Sequence, residues 1–416
     1  MKRKTGLKNT NIFLVCAKYL SGALCFYLNW YKQIWGNQNI ILYGVSALLL
    51  IMVALDMLRR KKVPYRDFPQ ILAATATLCV FSLATGVFVA VDRQVLLSTV
   101  ATTLEFSIMA AAIWYVCKRC HETTWVYNIL ELCGAVCALQ TIFLGADYNN
   151  GVIVTAMSES NNPNLLGLVL LFGIFSAVIQ KKRLEKNLLL HLVIIVISLY
   201  AIILSASRKT FLAAIVFLTI WLVVYLRDKN RQKINAKTLL VRLIIIVGAV
   251  IGASLVVSQI INGSALTTRM LGLREEISGG IRRQLYAEAW EMWKQSPIIG
   301  VGLGQFVLRS RFNMFTHSVY AETLVSAGIV GILIYAWPFF AIGRRLLKRI
   351  RSKKLHGDTN YDIQVIAVCL IIEMFMGLGS IFYYYFPHIL ILTMLFYEEQ
   401  CMDFGKKKKN AVHHIR

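Results

Sequence analysis

Long apolar stretches constrain the fold of this chain more than any other feature of its sequence. Of its 416 residues, 57% are hydrophobic and only 16% are charged. A helix needs about 20 apolar residues to cross a bilayer. The sequence offers about twelve such stretches, near residues 12–30, 40–58, 70–91, 95–116, 124–144, 163–180, 188–205, 209–226, 243–261, 319–341, 363–382 and 385–400. We therefore predict an all-α, polytopic membrane protein with about twelve transmembrane helices, forming one integral membrane domain over residues 1–416.

The basic residues are distributed unevenly along the chain. The net charge is +24, and a topology with the amino terminus inside assigns 33 of the 45 Lys and Arg residues to cytoplasmic segments. This bias follows the positive-inside rule and predicts a protein of the cytoplasmic membrane with both termini in the cytoplasm. The bilayer accounts for the basic excess, through topology and contact with anionic lipid. Nucleic acid is therefore not expected as a partner.

One basic segment breaks this rule. Residues 262–318 form a large extracytoplasmic loop in the predicted topology, yet they contain seven Lys and Arg residues. Apolar residues recur at helical spacing from Ile281 to Trp293, which predicts a helix lying at the membrane interface. Cations kept on the outer side indicate an anionic substrate held there.

Two further cations break the rule at a short outward turn. Arg208 and Lys209 follow Ser207 between two predicted spans, and Arg282 and Arg283 open the predicted interfacial helix. A guanidinium group offers paired donors to a phosphate, so these positions could form a phosphate clamp. Snorkelling side chains and a solvated helix face are the structural alternatives.

His317 ends the basic loop and precedes a predicted span. A neutral imidazole at this position could take a proton from a hydroxyl group near neutral pH. A structural histidine is the alternative. The nearby glycines of the stretch Gly300–Gly304, including Gly302 and Gly304, would let the backbone approach a neighbour or ligand closely.

Metal and cofactor sites are not predicted. The outward carboxylates show no ligand spacing, and none of the nine cysteines lies in a predicted outward loop. Cys117–His121 matches the c-type haem attachment pattern. That segment is predicted to be cytoplasmic, whereas such haems are attached on the other side.

Several motifs, taken in order, resemble the family of O-antigen ligases and O-antigen or capsular polysaccharide polymerases, which are bacterial membrane glycosyltransferases. Ser318 stands where the family commonly has Asn, and Tyr286 stands where Trp is frequent. The resemblance covers approximately residues 160–340. The matching positions are Asn161–Asn164, Ser207–Arg208, Arg282, Tyr286, Pro297–Phe306, Thr316–Glu322 and Gly328–Gly331.

The resemblance implies a lipid-linked glycan transferase that works outside the cytoplasmic membrane. The donor would be a glycan on a polyprenyl diphosphate, and the acceptor a glycan or another envelope component. Arg208 and Arg282 would bind the diphosphate, and His317 would be the general base. Transfer would invert the anomeric centre without a metal or cofactor. Supporting contacts are expected from Ser207, Lys209, Arg283, Gly302, Gly304 and Tyr320.

The expected activity is polymerisation of lipid-linked repeat units into a surface polysaccharide. A ligase that passes the finished glycan to a lipid, protein or envelope acceptor would use the same residues. A transporter of anionic lipids or glycolipids is an alternative from another class, and it would require charged residues along the spans. A glycosyltransferase with a carboxylate base in the first outward loop is disfavoured, because residues 31–39 contain no Asp or Glu.

Overall fold

The structure is a computed structural model that describes residues 11–31, 39–59, 68–143, 146–149, 152–155, 163–205, 207–230, 280–351 and 358–413. Helices dominate this part of the chain. They are α1 (Ile12–Phe26, continued by a π-helical turn at Tyr27–Tyr31), α2 (Asn39–Leu58), α3 (Gln70–Val89), α4 (Arg93–Cys120), α5 (Thr124–Phe143), α6 (Pro163–Val178), α7 (Lys181–Lys186), α8 (Leu188–Leu204), α9 (Arg208–Asn230), α10 (Ile281–Gln295), α11 (Gln305–Arg309), α12 (Val319–Arg351), α13 (Asp358–Met376) and α14 (Phe386–His413).

Eight of the described helices are long and apolar enough to cross a membrane. They are α1 with its π-helical turn, α2, α3, α4, α5, α9, α12 and α13. Helices α6 and α8 are apolar but have only 16 and 17 residues. The predicted span at 243–261 lies outside the described residues. The predicted number of twelve is therefore not reached in the part of the chain that the structure describes.

A small β-hairpin accompanies the helices. Strands β1 (Ala146–Asn149) and β2 (Val152–Thr155) pair antiparallel after α5. The hairpin lies in a segment that the sequence predicted as an outward loop. The fold is helical apart from this hairpin in the described residues.

Helix α4 shows how local sequence sets the ends of a long helix. Asp92 is its N-cap, and its carboxylate accepts hydrogen bonds from the backbone N–H groups of Gln94 and Val95. The helix ends where His121 adopts a left-handed conformation with a φ of 53°. Caps of this kind satisfy backbone groups that have no partner within the helix.

The helices form one continuous apolar core. Helices α5 and α6 pack closely, because Gly134 and Gly173 face each other. A Cβ atom added to Gly134 would lie 2.9 Å from the Cα atom of Gly173. Small residues at such a contact allow two membrane helices to pack backbone against backbone.

Polar contacts at one end of the bundle join the segments that were predicted to be cytoplasmic. Arg119 at the end of α4 forms an ion pair with the buried Asp56 at 2.8 Å. The Gln180 amide donates to the Glu398 carboxylate at 2.9 Å. We call this the Asp56 end. Segments predicted to face outward meet near the start of α4, which we call the His317 end. The membrane side that each end faces stays a prediction.

Two charged residues inside the predicted spans, Lys18 and Glu373, have partners at separate places in the bundle. Lys18 pairs with Glu122 at 2.7 Å near the Asp56 end. Glu373 is fully buried and contacts the ring nitrogen Nδ1 of His388. These pairs connect neighbouring helices.

Candidate active site

The centre of the site is a kink in α12. At Gly328 the backbone leaves the helical conformation, with φ 65° and ψ −161°. A kink of this kind removes backbone hydrogen bonds from the helix ladder. Those groups need other partners because they are buried.

The segment Pro297–Gly302 supplies these partners. The N–H groups of Val301 and Gly302 donate to the carbonyl oxygens of Val325 and Ser326 at 2.9 and 2.8 Å. In the other direction, the Ile329 N–H donates to the Pro297 carbonyl oxygen at 2.9 Å. The loop and the kink therefore exchange hydrogen bonds.

Gly300 makes this close approach possible. Its φ is 72°, and an added Cβ atom would lie 2.4 Å from the backbone nitrogen of Ala327. Only glycine adopts this conformation readily and leaves the necessary space. Gly302 and Gly304 also have positive φ, and a Cβ on Gly304 would meet the hydroxyl of Thr99 at 2.5 Å. The glycines that were predicted to approach a neighbour or ligand thus approach protein atoms.

Gln305 fastens the same loop to the turn before α4. Its Oε1 atom accepts hydrogen bonds from the N–H groups of Val91 and Asp92, both at 2.9 Å. Its Nε2 atom donates to the Asp92 carbonyl oxygen at 2.9 Å. The side chain is fully buried, so the loop is held rigidly against the bundle.

Helix α10 packs through a narrow apolar face against the loop that contains Val301 and against helices α11 and α12. Leu285 and Ala289 are buried against Val301, Phe306 and Val325. Ile281 lies outside this contact and is 51% exposed. The structure thus has a helix where the sequence predicted one, and its location at a membrane interface stays a prediction.

The polar face of α10 carries Arg282, Arg283 and Tyr286, all of them exposed. The Tyr286 hydroxyl donates to the Leu378 carbonyl oxygen at 3.3 Å. Burial raises the pKa of Tyr286, and the charge of Arg282 acts in the opposite direction. Arg282 and Tyr286 therefore lie on the same side of α10.

The turn after α13, Gly377–Ser380, joins several site elements. Lys209 of α9 lies across Gly379 and donates to the Ser380 hydroxyl at 2.6 Å. The Ser380 carbonyl oxygen accepts from the Val319 N–H at 2.9 Å. Tyr320 donates from its hydroxyl to the Met374 carbonyl oxygen at 2.8 Å, just before the turn. Helices α9, α10 and α12 thus converge on one segment.

The start of α9 is fixed from its other side by Ser207. The Ser207 hydroxyl donates to Asn164 Oδ1 at 2.9 Å and contacts the Thr210 hydroxyl at 3.0 Å. Asn164 belongs to the motif Asn161–Asn164, and Ser207 belongs to the motif Ser207–Arg208. Two of the motifs that carry the family resemblance therefore meet here. Arg208, the first residue of α9, is half-buried beside Lys209.

His317 lies on a strained turn before α12. Its φ is 58°, which is the left-handed region that non-glycine residues seldom occupy. The preceding Thr316 is fully buried, and the Glu322 carboxylate accepts hydrogen bonds from its N–H and hydroxyl groups. Strain of this kind persists where surrounding contacts enforce it, and it is common at functional sites.

The surroundings of His317 keep its imidazole neutral. Burial lowers the pKa of His317 below the ordinary histidine value, and the positive charges of Arg282 and Lys209 lower it further. Within the described part of the chain, no hydrogen bond occupies either ring nitrogen. The imidazole can therefore act as a proton acceptor at neutral pH.

The structure brings Lys209, Arg282 and His317 within electrostatic range of one another. The sequence had assigned Lys209 only a supporting role. Its charge is nevertheless among those that lower the pKa of His317. The roles of Arg208 and Arg282 as diphosphate ligands stay predictions.

Other cations of the segment that was predicted to face outward have structural partners. Arg311 forms an ion pair with Glu288, and Lys294 pairs with Glu291 at 2.6 Å. Arg309 donates to the Val89 carbonyl oxygen at 2.8 Å. Arg269 and Arg274 lie outside the described residues. Arg282 differs from these three cations, because its charge contributes to the lowered pKa of His317.

Sequence reasoning missed two residues that organise the site. Glu322 was included in the matching motif Thr316–Glu322 and counted among the outward carboxylates, but it was given no role, and Ser380 was not noted at all. The spacing of Glu322 six residues after Thr316 is only a weak sequence signal for the hydrogen bonds between them. Ser380 is 171 residues from Lys209, so no local pattern could have linked them.

Metal-binding groups of His, Cys, Asp and Glu are absent among the described residues.

Fold and site together define a polytopic α-helical membrane protein with a histidine and two cations gathered at one end of the bundle. Residues 193–336 match the family model described as O-antigen ligase. This stretch of the chain is thus similar to the O-antigen ligase family, and it contains Arg208, Lys209, Arg282 and His317. No curated protein matches the chain. This similarity supports glycan transfer of the ligase or polymerase type from a lipid-linked substrate at a membrane.

Proposed function

We propose that this protein polymerises oligosaccharide repeat units, carried on polyprenyl diphosphate, into a cell-surface polysaccharide. The His317 end would face the outside of the cytoplasmic membrane, with both termini in the cytoplasm. Residues 160–340 would form the catalytic region, and residues 262–318 the large extracytoplasmic loop. The positive-inside distribution of Lys and Arg supports this orientation.

The chemical step is a displacement at the anomeric carbon of the donor. His317 takes the proton from an acceptor hydroxyl as its oxygen forms a bond to that carbon. The bond between the carbon and the diphosphate oxygen breaks, and the electron pair leaves with the diphosphate. Attack opposite to the leaving group inverts the anomeric centre.

Cations at the site would stabilise the departing diphosphate. Arg208 and Arg282 would bind it with paired N–H donors, and Lys209 would add a point charge. Removing one contact of this kind typically lowers the rate by a factor of ~10²–10³. The leaving group then needs neither protonation nor a metal ion.

The observation that carries this proposal is the joint placement of His317, Arg282 and Lys209. A base kept neutral by adjacent cations suits a reaction in which a hydroxyl loses a proton beside an anionic leaving group. The residues come from three separate elements and converge through contacts with Gly377–Ser380 and Pro297–Gly302. Convergence on this scale supports a site rather than isolated surface charges.

The test is transfer by purified full-length protein supplied with a polyprenyl-diphosphate-linked repeat unit as the sole glycan. A polymerase gives a ladder of longer lipid-linked products and releases polyprenyl diphosphate, and it does so with a chelator present. Transfer only onto an added envelope acceptor would favour the ligase alternative. Retained substrate under both conditions would contradict glycan transfer from this donor.

A further inference from the structure

A groove of about 640 Å³ lies near the Asp56 end, far along α12 from His317. It runs along one face of the helix. The residues that line it are Phe340, Gly343, Arg344, Leu347, Lys348 and Arg351. It takes no part in the proposed glycan transfer.

Cations on the two faces of this helix end differ in their partners. On the inner face, Arg345 and Arg349 form ion pairs with the buried Glu399 at 2.9 and 3.1 Å. The three cations of the groove are exposed instead, and within the described residues none of them pairs with a carboxylate. Among the described residues, the positive charge of the groove therefore has no compensating carboxylate.

The groove is also apolar along its length. Phe340 and Leu347 are 66% and 55% exposed, and the neighbouring Trp337 is 63% exposed. Large apolar side chains left exposed on a membrane-spanning helix are suited to contact with lipid chains. The groove thus offers an apolar wall directly beside a cluster of cations.

Gly343 gives the groove its depth. A Cβ atom added to Gly343 would meet no other atom within 4 Å, so the space beside it is open. It stands between Phe340 and Leu347, one residue before Arg344. A ligand chain could therefore lie against the backbone and still reach the cations.

We propose that this groove binds an anionic phospholipid of the bilayer. Its phosphate would contact Arg344, Lys348 and Arg351, and an acyl chain would lie along Phe340 and Leu347 over Gly343. The match of charge and polarity supports this occupant, because an anionic phospholipid places a phosphate next to a hydrocarbon chain. In the proposed topology the lipid belongs to the cytoplasmic leaflet, where anionic lipids attract Lys and Arg.

The experiment measures binding of phosphatidylglycerol to full-length protein in phosphatidylcholine nanodiscs, with retained lipid counted by native mass spectrometry. The double variant Arg344→Gln/Lys348→Gln should bind about 25-fold more weakly, because each surface cation contributes about fivefold. Gly343→Leu should reduce binding while every cation is kept, since its side chain fills the open space.

Lys182→Gln/Lys186→Gln is the matched control, because it removes two exposed cations from α7 at the same end. This control should bind phosphatidylglycerol like the wild type. Equal losses in the control and the groove variant would overturn the proposal, and so would equal retention of phosphatidylcholine. Displacement of the lipid by inorganic phosphate at millimolar concentration would also contradict it, because the groove would then recognise phosphate alone.

Discussion

The carboxylate of Glu322 anchors Thr316 through two hydrogen bonds to one oxygen. Oε2 of Glu322 accepts from the Thr316 N–H at 3.1 Å and from the Thr316 hydroxyl at 3.0 Å. Thr316 immediately precedes His317, which has a φ of 58°. Glu322 therefore positions the turn that presents the imidazole.

Glu322→Ala should reduce glycan transfer by about 10–100-fold, because it leaves the buried N–H of Thr316 without its acceptor, while the Thr316 hydroxyl keeps the Ser318 carbonyl oxygen at 3.0 Å. Glu322→Gln should restore most of the activity, since its amide oxygen can accept both bonds. The loss in Glu322→Ala should appear in kcat more than in KM, measured with the lipid-linked donor. Wild-type kcat in Glu322→Ala would contradict the positioning role.

His317→Asn should lower transfer at least ~100-fold, as expected for loss of a general base. Asparagine tolerates the left-handed conformation, so the turn should keep its shape. His121→Asn is a matched control, because His121 also has a positive φ, 53°, and lies at the Asp56 end. Initial rates of both variants provide the test. Equal activity in the two would remove His317 from the mechanism.

Arg208→Lys and Arg282→Lys should each reduce transfer by about 10-fold or more. Lysine keeps the positive charge but cannot reproduce the paired donors of a guanidinium group. Arg311→Lys should stay near the wild-type rate, because Arg311 contacts Glu288 and a lysine can keep that ion pair. The measurement compares the initial transfer rates of the three variants at a saturating concentration of acceptor. Full activity in Arg208→Lys and Arg282→Lys would contradict the diphosphate clamp.

Activity should decline as pH falls through the pKa of His317, which lies below the ordinary histidine value. Lys209→Met removes a positive charge that lowers this pKa, so the pKa should rise and the acid limb of kcat/KM should move to higher pH. Lys294→Met removes a charge that pairs with Glu291 and should leave the limb in place. An unmoved limb in Lys209→Met would contradict the electrostatic coupling.

Gly300→Ala should destabilise the protein by about 1–3 kcal/mol, the range for a residue forced into a strained conformation. The new Cβ would also meet the Ala327 backbone at 2.4 Å. Gly343→Ala is the control, since this helical glycine has open space around it, and alanine favours the helix by up to about 1 kcal/mol. Thermal unfolding in detergent should separate the two variants. Equal melting temperatures would show that the loop does not depend on close contact at Gly300.

The helices were predictable because each apolar stretch needs little information beyond its own length and hydropathy. His317 and Arg282 were predictable as candidates because their types and predicted side of the membrane were unusual. The number of membrane spans was harder to predict. Helices α6 and α8 have apolar lengths near the lower limit, and residues 243–261 lie outside the described part.

The supporting structure of the site could not be predicted, because it depends on contacts between distant segments. Lys209 bonds to Ser380 across 171 residues, and Gln305 bonds to Val91 across 214. The glycines at 300, 302 and 304 gave a correct indication of close approach. Their neighbours, the backbone at Ser326 and Ala327 and the side chain of Thr99, became visible only in the fold.

The hydrogen bonds exchanged between Pro297–Gly302 and the kink at Gly328 limit how far the length of this segment can vary. Adding or deleting one residue in that stretch would shift every hydrogen-bond partner. Backbone N–H and C=O groups would then be buried without partners. Changes in loop length should therefore be rejected between Pro297 and Gln305. A scan of single-residue insertions from Gly280 to Ser318, read out as the amount of folded protein, should show its greatest loss in that stretch.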